Sequence, residues 1–301
     1  MLKIFPEKTN FDFMRWHKSA FAISLAGMIG TIVLLFTMGL NLGTDFAGGI
    51  LMEVQTPKAQ NVAELRNELN ALDLGSISLQ QLGDADQVLL RIGQQEGEEG
   101  NLKAITSVKE TIGEDADYLR VEYVGPQVGK ELIKKGIWAV VLSSVGILLY
   151  LMFRFRWEFA LCTVIALLHD ALLTMGFFTI VRVEFDMATL AAILMIAGYS
   201  INDTVVVFDR VREMMRKYRK MPLNELFNLS INTTLSRTIL TGGTSIFALL
   251  ALYFLGGTVI RGFVGSLIWG IIVGTYSSVF VATPLLLYLG LKEENRSRDL
   301  E

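Results

Sequence analysis

The chain has a single cysteine, Cys162, and only two histidines in 301 residues. No intramolecular disulfide can form, although part of the chain is expected to face an oxidising compartment, and redox chemistry is not indicated. There is no Walker loop, no HExxH pair and no GxSxG elbow, so an enzyme is not expected. Charged residues make up 19% of the sequence and hydrophobic ones 52%, with a mean hydropathy of +0.46. That is too apolar for a soluble chain, and the apolar residues are gathered into blocks long enough to cross a bilayer.

Six such blocks are present: Ser19 to Leu40, Gly136 to Phe153, Phe159 to Val181, Met187 to Phe208, Thr238 to Leu255 and Gly262 to Leu289. Each is near the ~20 residues a spanning helix needs. The first is too long for the apolar region of a signal peptide and lacks a small-residue cleavage site. An even count puts both termini on one side. Arg154 and Arg156 lie between spans two and three, and Arg210, Arg212, Arg216, Lys217, Arg219 and Lys220 between four and five. By the positive-inside rule those loops and both termini are expected to be cytoplasmic. The expected division is 1–40 for the N-terminus and first span, 41–135 for an extracytoplasmic domain, 136–290 for spans two to six, and 291–301 for a cytoplasmic tail.

The formal net charge of −3 conceals an asymmetry. Asp45 to Glu122 carries fifteen acidic and six basic residues, a net of −9, leaving +6 elsewhere. An acidic soluble part argues against nucleic acid as a partner. Between spans one and two the period changes to a βαββαβ order. Strands are expected at Ile50 to Thr56, Ser76 to Leu82, Gln87 to Ile92 and Tyr118 to Val124. Asn61 with Glu64 makes a capping box for a helix carrying Val62, Leu65, Leu69 and Leu72, and Asn101 caps a second with Leu102, Ile105, Val108 and Ile112 inward. The order predicts an α+β ferredoxin-like split βαβ domain. The QQEGEEGN stretch before the second helix reads as a solvated acidic loop, and no metal site is assigned to it.

Asp203, beside Asn202, falls inside the fourth apolar block. A charged residue at a helix centre costs roughly 2.5 to 3.5 kcal/mol on insertion scales, so it ordinarily faces a bundle interior, a partner charge or a water path. A proton or ion site is the leading reading; a position at headgroup depth, or a hydrogen bond to a neighbouring helix, is the alternative. His169 and Asp170 lie about 18 Å into the third span at the usual helical rise, as a proton relay or as a structural hydrogen-bonding pair. In the fifth span Thr233, Arg237, Thr241 and Thr244 form a polar stripe. Arg237 is the candidate partner of Asp203 if both helices extend beyond their apolar blocks; otherwise it snorkels to phosphate.

The spacing of the loop from Asp209 to Asn228 permits an amphipathic helix on the cytoplasmic face; the alternative is that the loop, like most of its kind, only fixes topology. Asn228 and Asn232 each begin an NxS/T sequon, without meaning on the inner side. In the sixth span Gly262, Ser266, Gly270, Gly274 and Ser278 recur at a spacing of four, a face without bulk that lets another helix approach closely. Its partner is not specified by the pattern.

Five motifs, GTDFAGG at 43–49, VGPQVG at 124–129, LLHD at 167–170, GYSINDTVVVFDRVRE at 198–213 and LSRTILTG at 235–242, occur in order on this topology. With them the chain closely resembles the SecF family, which belongs with SecD to the resistance-nodulation-division superfamily. The resemblance implies half of a twelve-span SecD–SecF assembly in the bacterial inner membrane. That assembly uses proton-motive force to draw unfolded secreted polypeptides across, alongside the SecYEG translocon and YajC. It implies a proton pathway through Asp203 and Arg237, with Asn202, Ser200 and Thr241 in the same motifs, and no cofactor beyond protons as the coupling ion. The glycine motifs, with Gly43, Gly48, Gly49, Gly125, Pro126 and Gly129, flank the outer domain as hinges, and Asp45 is expected to be structural at the membrane surface.

Two rivals are weighed against this. A multidrug exporter of the superfamily resembles twelve spans in one chain with two far larger outer loops, which six spans cannot supply. A passive assembly or docking factor would use the outer domain for binding and the intramembrane charges only to hold helices; proton flux separates it from the first reading.

Overall fold

The computed structural model describes residues 9–57, 62–82, 86–113 and 115–289. Among them are six helical spans long and apolar enough to cross a membrane. The first is α1 (His17–Thr37), preceded by a short 3-10 turn at Met14–Trp16. A four-residue helix, α2 (Thr44–Ala47), leads into the inserted domain. The remaining spans are α5 (Pro126–Arg154), α6 (Trp157–Val181), α7 (Met187–Lys217), α8 (Leu223–Leu255) and a broken sixth made of α9 (Thr258–Ser277), a π-helical turn at Ser278–Ala282 and α10 (Thr283–Tyr288).

Several helices outrun their apolar blocks. The second span begins at Pro126 rather than Gly136 because Pro126 occupies the first helical turn, where its missing N–H costs nothing. Lys130, Glu131, Lys134 and Lys135 make that extension polar. The fourth span runs on to Lys217 and the fifth starts at Leu223, so the stretch from Asp209 to Asn228 is two helix ends joined by a short turn. The expected amphipathic surface helix is therefore absent. Its apolar residues Val211, Met214, Leu226 and Phe227 are buried in the helical core against Phe159 and Phe208 instead. The side chains of Asn228 and Asn232 tie down the segment ahead of α1. Asn228 Oδ1 accepts from Met14 N over 2.9 Å, and Asn232 clamps Phe11 by accepting from its N–H at 2.9 Å and donating to its carbonyl at 2.8 Å.

The inserted domain has β1 (Gly49–Gln55), α3 (Val62–Asn70), β2 (Ile77–Gln81), β3 (Gln87–Ile92), α4 (Gly97–Ile112) and β4 (Asp117–Val124). Its strands lie in the order β2-β3-β1-β4, each pair antiparallel, which is the ferredoxin-like arrangement. Alternation sends Ile50, Met52, Val54, Val88, Leu90 and Ile92 to one face, where Leu65, Leu69, Ala104 and Val108 of the two helices cover them. Asn61 lies outside the described residues. α4 starts at Gly97, four residues before the expected cap. Asn101 is buried inside the helix, with its amide donating to the Gly97 carbonyl at 2.9 Å. The inward face is Asn101, Ala104 and Val108 with Ile105 and Ile112 packed beside them as expected, and of the four residues expected inward only Leu102 is exposed. Glu98 and Glu99 of the expected acidic loop instead occupy the first turn, where the helix dipole favours negative charge.

Within the membrane part the broken sixth span is the most enclosed, α6 and α7 less so, and α1, α5 and α8 are largely exposed. The central packing is therefore α6, α7 and α9.

Candidate functional site

The small-residue stripe of α9 meets α7. Added side-chain carbon at Gly270 would overlap Ile196, and at Gly274 it would come within 3.0 Å of Ser200. One turn further on, the hydroxyls of Thr204 and Ser278 lie 2.8 Å apart. Ile196, Ser200 and Thr204 thus step along α7 in parallel register with Gly270, Gly274 and Ser278. Absent side chains on α9 bring the two backbones together. Ser266 is buried and donates to Phe263 O of its own helix, while Gly262 sits against Val183 just before α7.

That close approach sets two carboxylates into the helix core. Asp170 on α6 is buried, with Oδ2 accepting from Ser200 at 2.6 Å and Ser277 at 2.8 Å, and Oδ1 2.9 Å from His169 Nδ1. The His169 ring stacks on Tyr276, centroids 6.3 Å apart, and its buried Nε2 has no partner among the described residues. Tyr276 in turn donates to Ala20 O at 2.9 Å and lies 3.1 Å from the Ser24 hydroxyl, tying the cluster to α1. Asp203 on α7, one turn beyond Ser200, is 3% exposed and accepts from Thr275 at 3.4 Å. Two carboxylates on different helices are therefore served by Thr275 and Ser277, two residues apart on α9. Immediately after Ser277 the helix loosens into the π turn. There Thr283 bonds Ser278 O over 2.8 Å and Pro284 removes a backbone donor.

The other expected site residues separate into groups. Ser200 serves Asp170 rather than Asp203. Asn202 is exposed on the outer face of α7, and Arg237 is exposed on α8 with Thr241 half-buried one turn on. The charge of Arg237 is near enough to act on Asp203, yet no direct carboxylate–guanidinium pair forms among the described residues. Thr275, Tyr276 and Ser277 were not among the expected residues. Their signal was a run of consecutive hydroxyls, TYSS at 275–278, in an otherwise apolar span.

The glycine motifs pack against each other where the domain meets the membrane part. Gly48 and Gly49 have φ of +76° and +124°, which suits glycine alone, and an added Cβ at Gly129 would stand 2.7 Å from Phe46 O. Gly43 N–H donates to the Phe185 carbonyl over 2.8 Å, Gly125 precedes Pro126 at the head of α5, and Asp45 Oδ2 accepts from Met187 N at 3.0 Å. Asp45 and the Asp186–Thr189 capping box together fix the start of the helix that carries Asp203.

A ferredoxin-like domain inserted after the first of six spans, over a helix core holding two carboxylates, defines a multi-pass membrane protein. Residues 104–292 match the family described as "Protein export membrane protein SecD/SecF, C-terminal", and residues 33–56 match "SecD/SecF GG Motif". The chain is 42% identical to protein translocase subunit SecF of Rhodobacter capsulatus, covering 99% of this chain and 94% of that one. Against the same subunit of Vibrio alginolyticus the identity is 42%, with 98% and 95% covered. The crystal structure of SecDF, a translocon-associated membrane protein from Thermus thermophilus, matches with a TM-score of 0.82 at 34% identity, over 95% of this chain and 39% of that one. A SecDF structure in a super-membrane-facing form matches with a TM-score of 0.72 at 34% identity, over 99% of this chain and 40% of that one. This chain thus spans about two fifths of the SecDF chains it resembles. It belongs to the SecD/SecF protein-export family, among the SecF subunits of the protein translocase.

Proposed function

We propose that this chain is the SecF half of a SecD–SecF assembly that uses proton-motive force to promote polypeptide translocation across the bacterial inner membrane, with Asp203 as the proton-bearing group. The reading includes SecYEG and YajC as neighbours and unfolded secreted polypeptides as clients. Both termini lie in the cytoplasm and the ferredoxin-like domain lies outside.

The observation that carries it is a carboxylate buried within a membrane span, served by the hydroxyls of Thr275, at 3.4 Å, and Thr238, with a nearby arginine that does not close on it. Apolar surroundings favour the neutral acid and Arg237 favours the carboxylate. A helix movement that changes their separation therefore changes which form is held, and ties proton capture and release to helix position. Asn202 and Arg237 are exposed at span positions of α7 and α8. Hydrocarbon offers such groups no partner, which supports a second set of spans from SecD covering this face.

Asp203→Asn keeps size and hydrogen bonding but cannot ionise. In inverted vesicles it should assemble with SecD and lose the proton-gradient-dependent part of export. Wild-type gradient-dependent export by a normally assembled variant would leave the passive docking factor as the better reading.

A further inference from the structure

Where α5 ends and α7 runs on beyond the apolar span, Arg154, Arg212, Arg216 and Lys217 line an open cleft of about 550 Å³ together with Asp209 and Glu213. Cations outnumber carboxylates four to two, and Glu213 is already paired with Arg210. Arg212 Nη1 donates to the Arg154 carbonyl at 3.3 Å, and both guanidiniums lie over the Phe155 ring, at 5.1 and 5.7 Å from its centroid. Two like charges are thereby held against one buried ring, an arrangement that a bound anion relieves. Arg216, one turn on from Arg212, is exposed, and no ion pair engages it among the described residues. The nearby Arg156 turns away to Glu158 at 2.6 Å.

The surroundings give the depth of this cleft. Beside it, Leu149, Met152, Phe153 and Trp157 are exposed, Phe153 by 94%. Such side chains belong in the acyl region and at the headgroup boundary. The cations therefore lie at the level of lipid phosphates, directly beyond an apolar wall.

We propose that this cleft is a binding site for an anionic phospholipid. Its phosphate is held in the fork of Arg212 and Arg216, and its acyl chains lie along the exposed α5 face. Guanidinium forks match phosphate oxygens in pairs, and a basic pocket between spans suits a headgroup without its own cation. Phosphatidylcholine brings a trimethylammonium that these arginines repel. The site is independent of Asp203 and of proton movement.

The test uses the full chain in nanodiscs of mixed dioleoylphosphatidylcholine and dioleoylphosphatidylglycerol, with co-released lipids counted by native mass spectrometry. The wild-type protein should retain phosphatidylglycerol preferentially. Arg212→Gln with Arg216→Gln should lower that preference by roughly tenfold or more. Lys18→Gln with Lys220→Gln, an equal loss of charge outside the cleft, should change it by less than about twofold. An equal loss in the control pair, or an unchanged preference in the cleft pair, would overturn the site. Should the cleft pair fail to fold, Arg216→Gln alone, which disturbs no contact described above, must still weaken the preference. Added inorganic phosphate should not displace the lipid; displacement would put a soluble anion in the cleft and refute the lipid assignment.

Discussion

Ser200 donates to Asp170 over 2.6 Å from a position one helical turn before Asp203, so the two intramembrane carboxylates are mechanically joined through α7. Asp170 accepts from Ser200 and Ser277 and lies 2.9 Å from His169 Nδ1, so α6, α7 and α9 converge on it. Asp170→Ala takes from buried Ser200 its acceptor and from His169 its Nδ1 partner, leaving Ser277 only the Gly274 carbonyl, and should destabilise the protein by about 3 kcal/mol. Asp170→Asn restores an acceptor and should recover much of that in a thermal melt. If Asp170→Asn melts like wild type yet stops gradient-driven export, the residue relays protons; if both are normal, it only holds the helices together.

The parallel register of α7 and α9 predicts an asymmetric response to small substitutions. Gly270→Ala puts a methyl into Ile196, an overpacking cost of about 1–3 kcal/mol. Ile196→Ala in the same chain should relieve part of it, because the new cavity accepts the methyl. By contrast Gly146→Ala on α5, where nothing lies within 4 Å, should be neutral or slightly stabilising. Equal effects at both glycines, measured by melting temperature, would mean that α9 does not pack on α7 in this register.

Much of this was legible in the sequence, and the reasons differ by residue. Spans could be read because twenty apolar residues in a row have few other solutions, and the domain because its period alternates between 2 and 3.6. Helix ends were not, since charges interleave with the apolar residues in 130–135 and 210–217, and a hydropathy average cuts the span at them. The start of α4 was missed because Asn101 resembles a cap yet serves the preceding turn. Asp203 and Asp170 stood out as charges among apolar neighbours. Which carboxylate Ser200, Thr275 and Ser277 each serve is set by tertiary packing: the hydroxyl run at 275–278 marks a polar patch, but not that Ser200 and Ser277 turn to Asp170 and Thr275 to Asp203. Likewise Asn232 matched a sequon while its side chain clamps Phe11, more than two hundred residues away.

That clamp is itself testable. Asn232→Ala removes two hydrogen bonds to the Phe11 backbone and should loosen the segment ahead of α1, at a cost of about 1–2 kcal/mol. Hydrogen exchange at Phe11 and Met14 should quicken while α1 stays protected. Unchanged exchange at Phe11 would show that the ring contact of Phe13 with Phe280, centroids 5.7 Å apart, holds the segment unaided.

Orientation can be read without engineering away a background, because the sole cysteine, Cys162, is fully buried. A cysteine placed at Gly97 should react with an impermeant thiol reagent in intact cells, and one at Lys217 should react only after permeabilisation. The reverse pattern would invert the topology and put the ferredoxin-like domain in the cytoplasm, against the orientation proposed above.

The contact between the inserted domain and the membrane part should respond to pH through Glu184. Arg91 on β3 reaches Glu184, in the connection between α6 and α7, at 2.8 Å, beside Asp45 and Asp186 in a cleft under the sheet. Burial pushes the Glu184 carboxyl above its usual range; Arg91 opposes this, while Asp186 and Asp45 add to it. A carboxyl that holds its proton more tightly in the folded protein than in the open chain stabilises the folded form at low pH. That contribution is lost as pH rises through the raised titration range. Relative to Glu184→Gln, which stays neutral throughout, wild-type stability should therefore fall as pH climbs from the ordinary carboxylate range towards neutrality. Arg91→Met removes the opposing cation and should steepen the fall, costing about 1–2 kcal/mol at neutral pH for this partly buried pair. Melting curves of the three proteins across that interval decide the matter: parallel profiles for wild type and Glu184→Gln would mean that Glu184 is not the titrating group at this contact.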